Sequence, residues 1–97
     1  MITSFKDKAT EDIFDGINSK FARKVCPQTL WRIAARKLDQ LDSAQSLEEL
    51  EVSPGNQLDS LFGNREGSFS ICINVQYQIC FTWEENGAYN VEITDYH

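Results

Sequence analysis

Residues 68–83 read Ser68-Phe69-Ser70-Ile71-Cys72-Ile73-Asn74-Val75-Gln76-Tyr77-Gln78-Ile79-Cys80-Phe81-Thr82-Trp83, and their period is two. Phe69, Ile71 and Ile73 alternate with Ser68, Ser70, Cys72 and Asn74. Past a turn near Asn74-Val75-Gln76, Tyr77, Ile79, Phe81 and Trp83 alternate with Gln78, Cys80 and Thr82. Alternation of this kind marks strands with one face on a core and one face open. Glu84-Glu85-Asn86-Gly87 makes the next turn, and Tyr89, Val91 and Ile93 fall on one side of a last strand. A weak strand at Leu58 and Leu61, turned by Gly63-Asn64-Arg65-Glu66-Gly67, precedes these three.

Upstream the period is helical. Ile13, Phe14 and Ile17 punctuate a polar run from Lys6, and Gly16 and Asn18 mark its end. Pro27 suits the first turn of a second helix, on which Leu30, Ile33, Ala34, Leu38 and Leu41 line one stripe. Its outer face is assigned Arg32, Arg36, Lys37 and Asp39. Ile2 to Phe5 can form a short opening strand. Ser46-Leu47-Glu48-Glu49 has the form of a capping box that starts one short helical turn, and Val52 to Asn56 reads as a loop. Two N-terminal helices packed on a small, mainly antiparallel sheet of four or so strands make an α+β domain spanning residues 1–97.

Composition narrows the function classes. The apolar fraction of 41% and charged fraction of 25% suit a soluble globular chain. No stretch approaches the ~20 apolar residues that span a bilayer, and the opening residues lack a secretory apolar run, so a cytoplasmic location with no membrane role is expected. Cys26, Cys72 and Cys80 have no metal-ligand spacing and read as reduced thiols, with a Cys72–Cys80 disulfide the alternative. Charge is split. Residues 1–37 hold eight basic and four acidic groups, a net +4, and residues 38–97 hold one basic and eleven acidic groups, a net −10. A polyanion should favour the first part and be repelled by the second.

The chain ends Ile93-Thr94-Asp95-Tyr96-His97, and His97 is its sole histidine. Histidine titrates near neutral pH, so an ordered His97 beside Asp95 is an acid–base candidate, whereas a loose one is only a terminus. The basic set Lys20, Arg23, Lys24, Arg32, Arg36 and Lys37 is either a solvated helix face or a contact for RNA or an acidic partner.

Three stretches together, Gly63 to Ile71, Tyr77 to Trp83 and Tyr89 to His97, resemble the HigB-like toxins of the RelE superfamily. The opening Ile2 to Lys8 and the helix Arg32 to Leu38 also look like that family, and the terminal Asp-Tyr-His is the most specific element. The resemblance implies a RelE-like fold and a type II toxin–antitoxin system. It implies a ribosome-dependent endoribonuclease that cuts messenger RNA by 2′-hydroxyl attack, with no metal or other cofactor. It implies a helix-turn-helix, HigA-like antitoxin as partner, through which alone the toxin meets operator DNA. By the same resemblance His97 is the acid or base, Asp95 its assisting carboxylate, Tyr96 a substrate contact or support, and Arg65 a phosphate ligand. Family members commonly carry Lys or Arg where this chain has Phe62, Cys72 and Gln78. That departure implies an alternative: a catalytically impaired homologue that chiefly binds its antitoxin and serves operon control.

Overall fold

The computed structural model describes residues 1–53, 55–60 and 67–95. In chain order the elements are α1 (Lys8–Asp15), α2 (Lys20–Val25), a 3₁₀ turn (Gln28–Leu30), α3 (Trp31–Ser43), α4 (Leu47–Val52), and the strands β1 (Asp59–Ser60), β2 (Ser68–Cys72), β3 (Tyr77–Glu84) and β4 (Gly87–Asp95). The strands form one antiparallel sheet in sequence order. This is the expected α+β class. Leu61, the turn residues 63–66 and Pro54 lie outside the described residues.

Each helix starts and stops for a local reason. Asp7 caps α1 by accepting the Thr10 N–H at 2.8 Å, and Gly16, at φ 76°, closes it in the left-handed region that suits glycine. Ser19 caps α2 by accepting from the Ala22 N–H at 3.0 Å. This second helix is one the periodicity did not predict. Its Phe21 is exposed, so no apolar stripe announces it. Ser46 stands at the N-cap of α4 without a side-chain bond, and Glu49 instead accepts the Gln45 N–H at 2.6 Å.

The core lies between the helices and one sheet face. Leu38, Leu41, Ile71, Ile79 and Val91 are fully enclosed. Phe69 and Phe81, cross-strand partners, stack at 6.2 Å between ring centres. Lys37 belongs to this interior, which corrects its assignment to the outer face of α3. It is 8% exposed, and its Nζ donates to Asn56 Oδ1 at 2.7 Å. Positions 34, 37, 38 and 41 form one helical stripe, and the polar atom Lys37 brings into it is met by Asn56. Asn56, itself fully buried, also donates to the Leu50 carbonyl at 3.1 Å and accepts the Cys72 N–H on its own carbonyl at 2.6 Å. One residue, by side chain and carbonyl together, thus ties α3, α4 and β2.

The β3–β4 turn has Glu85 at φ 49° and Asn86 at φ 63°, the two positive angles of a type I′ hairpin. Further along β4 the register slips. Cys80 pairs with Glu92 but Thr82 pairs with Tyr89, so Phe81 alone opposes Asn90 and Val91. Asn90, at φ 52°, is the bulged residue. The slip reverses parity, and it corrects the grouping of Tyr89 with Val91 and Ile93. Ala88 is the buried residue opposite Trp83, and Tyr89 shares the outer face with Thr82.

The opening segment forms no strand but makes two parallel bridges, Ile2 to Ala88 and Phe5 to Val91. It covers the outer edge of β4. Ala88 N–H donates to Met1 O (2.9 Å), Thr3 N–H to Ala88 O (2.7 Å), Val91 N–H to Ser4 O (3.1 Å) and Lys6 N–H to Val91 O (2.9 Å). Ser4 Oγ takes the Asn90 N–H at 2.9 Å, and Thr10 Oγ1 takes that of Ile93 at 3.0 Å. The approach is close enough that a Cβ on Gly87 would sit 3.3 Å from Met1 O. Among the described residues, no helix is long and apolar enough to cross a membrane.

Two measurements test these contacts. Asn56→Ala leaves the Lys37 ammonium buried without its partner and should lower the unfolding free energy by about 2–4 kcal/mol. Adding Lys37→Met should recover much of that loss in urea titrations, and a neutral Asn56→Ala would contradict the assignment. The second concerns Asp12, a buried carboxylate that accepts from Ser19 Oγ at 2.6 Å and pairs with Lys8 at 3.2 Å. The Ser19 bond first, then Lys8, holds its carboxyl below the ordinary 3.8. A depressed carboxyl stabilises the fold above its unfolded value and stops doing so as pH falls through the folded one. Stability should therefore drop as pH descends below the ordinary 3.8, and Ser19→Ala should flatten that acid limb in pH-dependent denaturation curves.

Candidate active face of the sheet

The face of the sheet away from the core is organised in rows by the strand register. Cys72, Gln78 and Thr94 form one row, Asp59, Ser70, Cys80 and Glu92 the next, and Ser68, Thr82 and Tyr89 the third. The face is not uniformly open, because Ser70 and Cys80 in its middle are buried. Beyond the first row, Tyr77 pairs with Asp95 at the end of β4.

That end of the sheet is tied to the β2–β3 turn. Asn74 Oδ1 accepts the N–H groups of Gln76 (2.9 Å) and Tyr77 (2.7 Å), which fixes the turn as an Asx loop. Gln76 Nε2 then donates to Asp95 Oδ2 at 3.0 Å. Asp95 keeps the parity of Ile93 and Tyr77, because the bulge lies upstream of all three pairings. It is nevertheless exposed, as the last residue of its strand. Of the four residues assigned to catalysis, Asp95 is thus placed, and Tyr96, His97 and Arg65 lie outside the described residues, as does Phe62.

Cys72 and Gln78 are direct cross-strand partners. The two positions where a cation was expected therefore sit side by side, and both are uncharged. Two lysines approach this face by other routes. Lys6 reaches it over the edge of β4 and pairs with Glu92 at 3.1 Å. Together with Ser68, Cys80, Thr82 and Asn90 these two line an open depression of about 300 Å³. Lys6 was missed because its position depends on the pairing of the first residues with β4, contacts of more than 80 residues' separation. Lys37 lies behind Cys72. Burial pushes its ammonium below the ordinary 10.5, while the field of Cys72 opposes that shift.

The basic residues of α2 and the exposed ones of α3 are elsewhere. Lys20, Arg23 and Lys24 are exposed on α2, and Arg32 and Arg36 are exposed on α3. Arg23 donates to Asn18 Oδ1 at 2.7 Å. The three cysteines are free thiols. Burial pushes the Cys26 thiol up to about 11, which keeps it protonated and inert near neutral pH.

Comparison with known proteins fits this arrangement. Residues 3–97 match the HigB-like toxin family, described as the RelE-like toxin of the type II toxin–antitoxin system HigB. Toxin HigB-1 of Vibrio cholerae serotype O1 is 34% identical over 90 residues, covering 93% of this chain and 92% of its own. Endoribonuclease HigB of Proteus vulgaris is 35% identical over 98 residues, covering 100% of both. An uncharacterized protein of Haemophilus influenzae is 32% identical over 65 residues, or 67% of this chain and 64% of its own. The chain therefore belongs to the HigB-like, RelE-like toxins of type II toxin–antitoxin systems, and its partner is an antitoxin.

Proposed function

We propose that this toxin is an endoribonuclease that cuts messenger RNA in the ribosomal decoding site of the cytoplasm, silenced by a HigA-like helix-turn-helix antitoxin. One observation carries the reading: a relative matched over its full length is named Endoribonuclease HigB. The ribose 2′-oxygen attacks the adjacent phosphorus as its proton passes to a base. The bond from phosphorus to the 5′-oxygen breaks, and an acid protonates the leaving oxygen, giving a 2′,3′-cyclic phosphate and a 5′-hydroxyl. His97 moves one of these protons, Asp95 orients it, Tyr96 contacts the substrate and Arg65 holds the phosphate. Fixing Asp95 through Gln76 gives the tail a defined origin, which supports this assignment.

A second reading has a specific observation behind it. Cys72 and Gln78 put no charge on the adjacent positions where the phosphate would be clamped, and Lys6 and Lys37 are each engaged with Glu92 and Asn56. Removing a charged transition-state contact costs roughly 10²–10³ in rate. A slow toxin, or one that only binds antitoxin, is the consequence.

Expression without antitoxin separates the two. The first reading expects growth arrest with cleaved messages, abolished by His97→Ala. Normal growth at full soluble expression would sink it. Gln78→Arg supplies the absent cation and should raise the cleavage rate roughly tenfold or more. A rate unmoved by Gln78→Arg would show that the face does not hold the scissile phosphate.

A further inference from the structure

We infer that the α1–α2 corner is the docking surface for an acidic, apolar-centred segment of the antitoxin. The inference rests on membership of a toxin–antitoxin family and is independent of whether the toxin cuts RNA. Phe21 is 59% exposed and Ile17 is 48% exposed, four residues apart across the corner. Among the described residues, the other large apolar side chains in the open, Met1, Val52 and Val75, lie elsewhere in the chain. An exposed aromatic and an exposed isoleucine four residues apart at one corner mark a contact surface rather than a scattered pair.

The corner that presents them is rigid. Gly16 donates to the Asp12 and Ile13 carbonyls, and Ile17 N–H donates to Asp12 O at 2.8 Å. Ser19 links Asp12 to the first turn of α2. A side chain displayed on such a frame loses little freedom when it is covered.

Charge chooses the occupant. Residues 16–38 contain six basic groups and no acid. Lys20, Arg23 and Lys24 are exposed on the same short helix as Phe21, Lys24 one turn from it, and no ion pair neutralises them among the described residues. An apolar centre with a charged rim is the anatomy of a protein interface. RNA fits less well, because isoleucine offers no stacking surface and a long polyanion would run onto the acidic remainder, net −10 after residue 37. A short segment carrying an apolar side chain between Asp or Glu residues would end at the rim.

The test is titration calorimetry of the full-length toxin with its cognate antitoxin, at low and at physiological salt. Phe21→Asp and the pair Lys20→Glu, Lys24→Glu should each weaken binding by roughly tenfold or more. Phe21→Leu should bind nearly as wild type, and affinity should fall with salt. The charge pair leaves the apolar centre intact, so it decides the matter where Phe21→Asp fails to fold. Unchanged affinity in the charge pair overturns the proposal. So does loss of binding to a short single-stranded RNA in these variants with antitoxin affinity preserved, which would give the surface to RNA.

Discussion

The last strand depends on the first ten residues, which hold its outer edge from Ala88 to Ile93. Without them the N–H groups of Ala88, Asn90, Val91 and Ile93 would lie on an unpaired sheet edge. Ser4 is the hinge of the arrangement, because its Oγ and its carbonyl receive the two consecutive amides of the bulge. Thr10 extends the cover past the segment itself by taking the Ile93 N–H. Two residues later comes Asp95, bonded to Gln76 on the other side. A terminal strand gripped on both edges does not fray as chain ends usually do. The last described residue, Asp95, is therefore set by contacts on both sides of its strand.

The sheet was legible because its information is local. Alternation gives strands and faces, and the paired positive φ angles of Glu85 and Asn86 fall where the turn residues were read. What escaped was carried by contacts distant in sequence or masked by residue type. The bulge at Asn90 is stabilised by Ser4, 86 residues away, so nothing within β4 reveals that Tyr89 changes face. Lys37 lies at the right spacing for the core stripe of α3, and only its charge argued for the outside. Its partner Asn56 looked like a loop residue. The α2 helix escaped because its most apolar residue faces solvent. Asp95 alone of the proposed catalytic set falls within the described residues, so the rest of that set stands on the family pattern.

The placement of cations gives the protein its particular character. A phosphate-cleaving face ordinarily concentrates positive charge where the phosphate lies. Here the sheet rows hold Cys72, Gln78, Thr94, Ser70, Cys80 and Glu92, and the two lysines that come near are coupled to Glu92 and Asn56. Free positive charge is displayed instead on α2 and α3. Among the described residues, that division separates a weakly cationic sheet face from a strongly cationic helix surface.

The buried polar groups explain why so small a core has one arrangement. Thr10, Asp12, Lys37 and Asn56 are each nearly or wholly enclosed, and each joins elements rather than decorating one. Thr10 links α1 to β4, Asp12 links α1 to the cap of α2, and Asn56 links α3 and α4 to β2. Burying such groups costs free energy that apolar residues of the same size would not. What they supply is direction. A hydrophobic contact tolerates sliding, but a hydrogen bond between two enclosed atoms fails once the elements shift by an ångström or so. Three such junctions fix α1 against β4, α2 against α1, and the helical layer against the edge of β2. The described end of β4 and the α1–α2 corner are therefore both tied to α1.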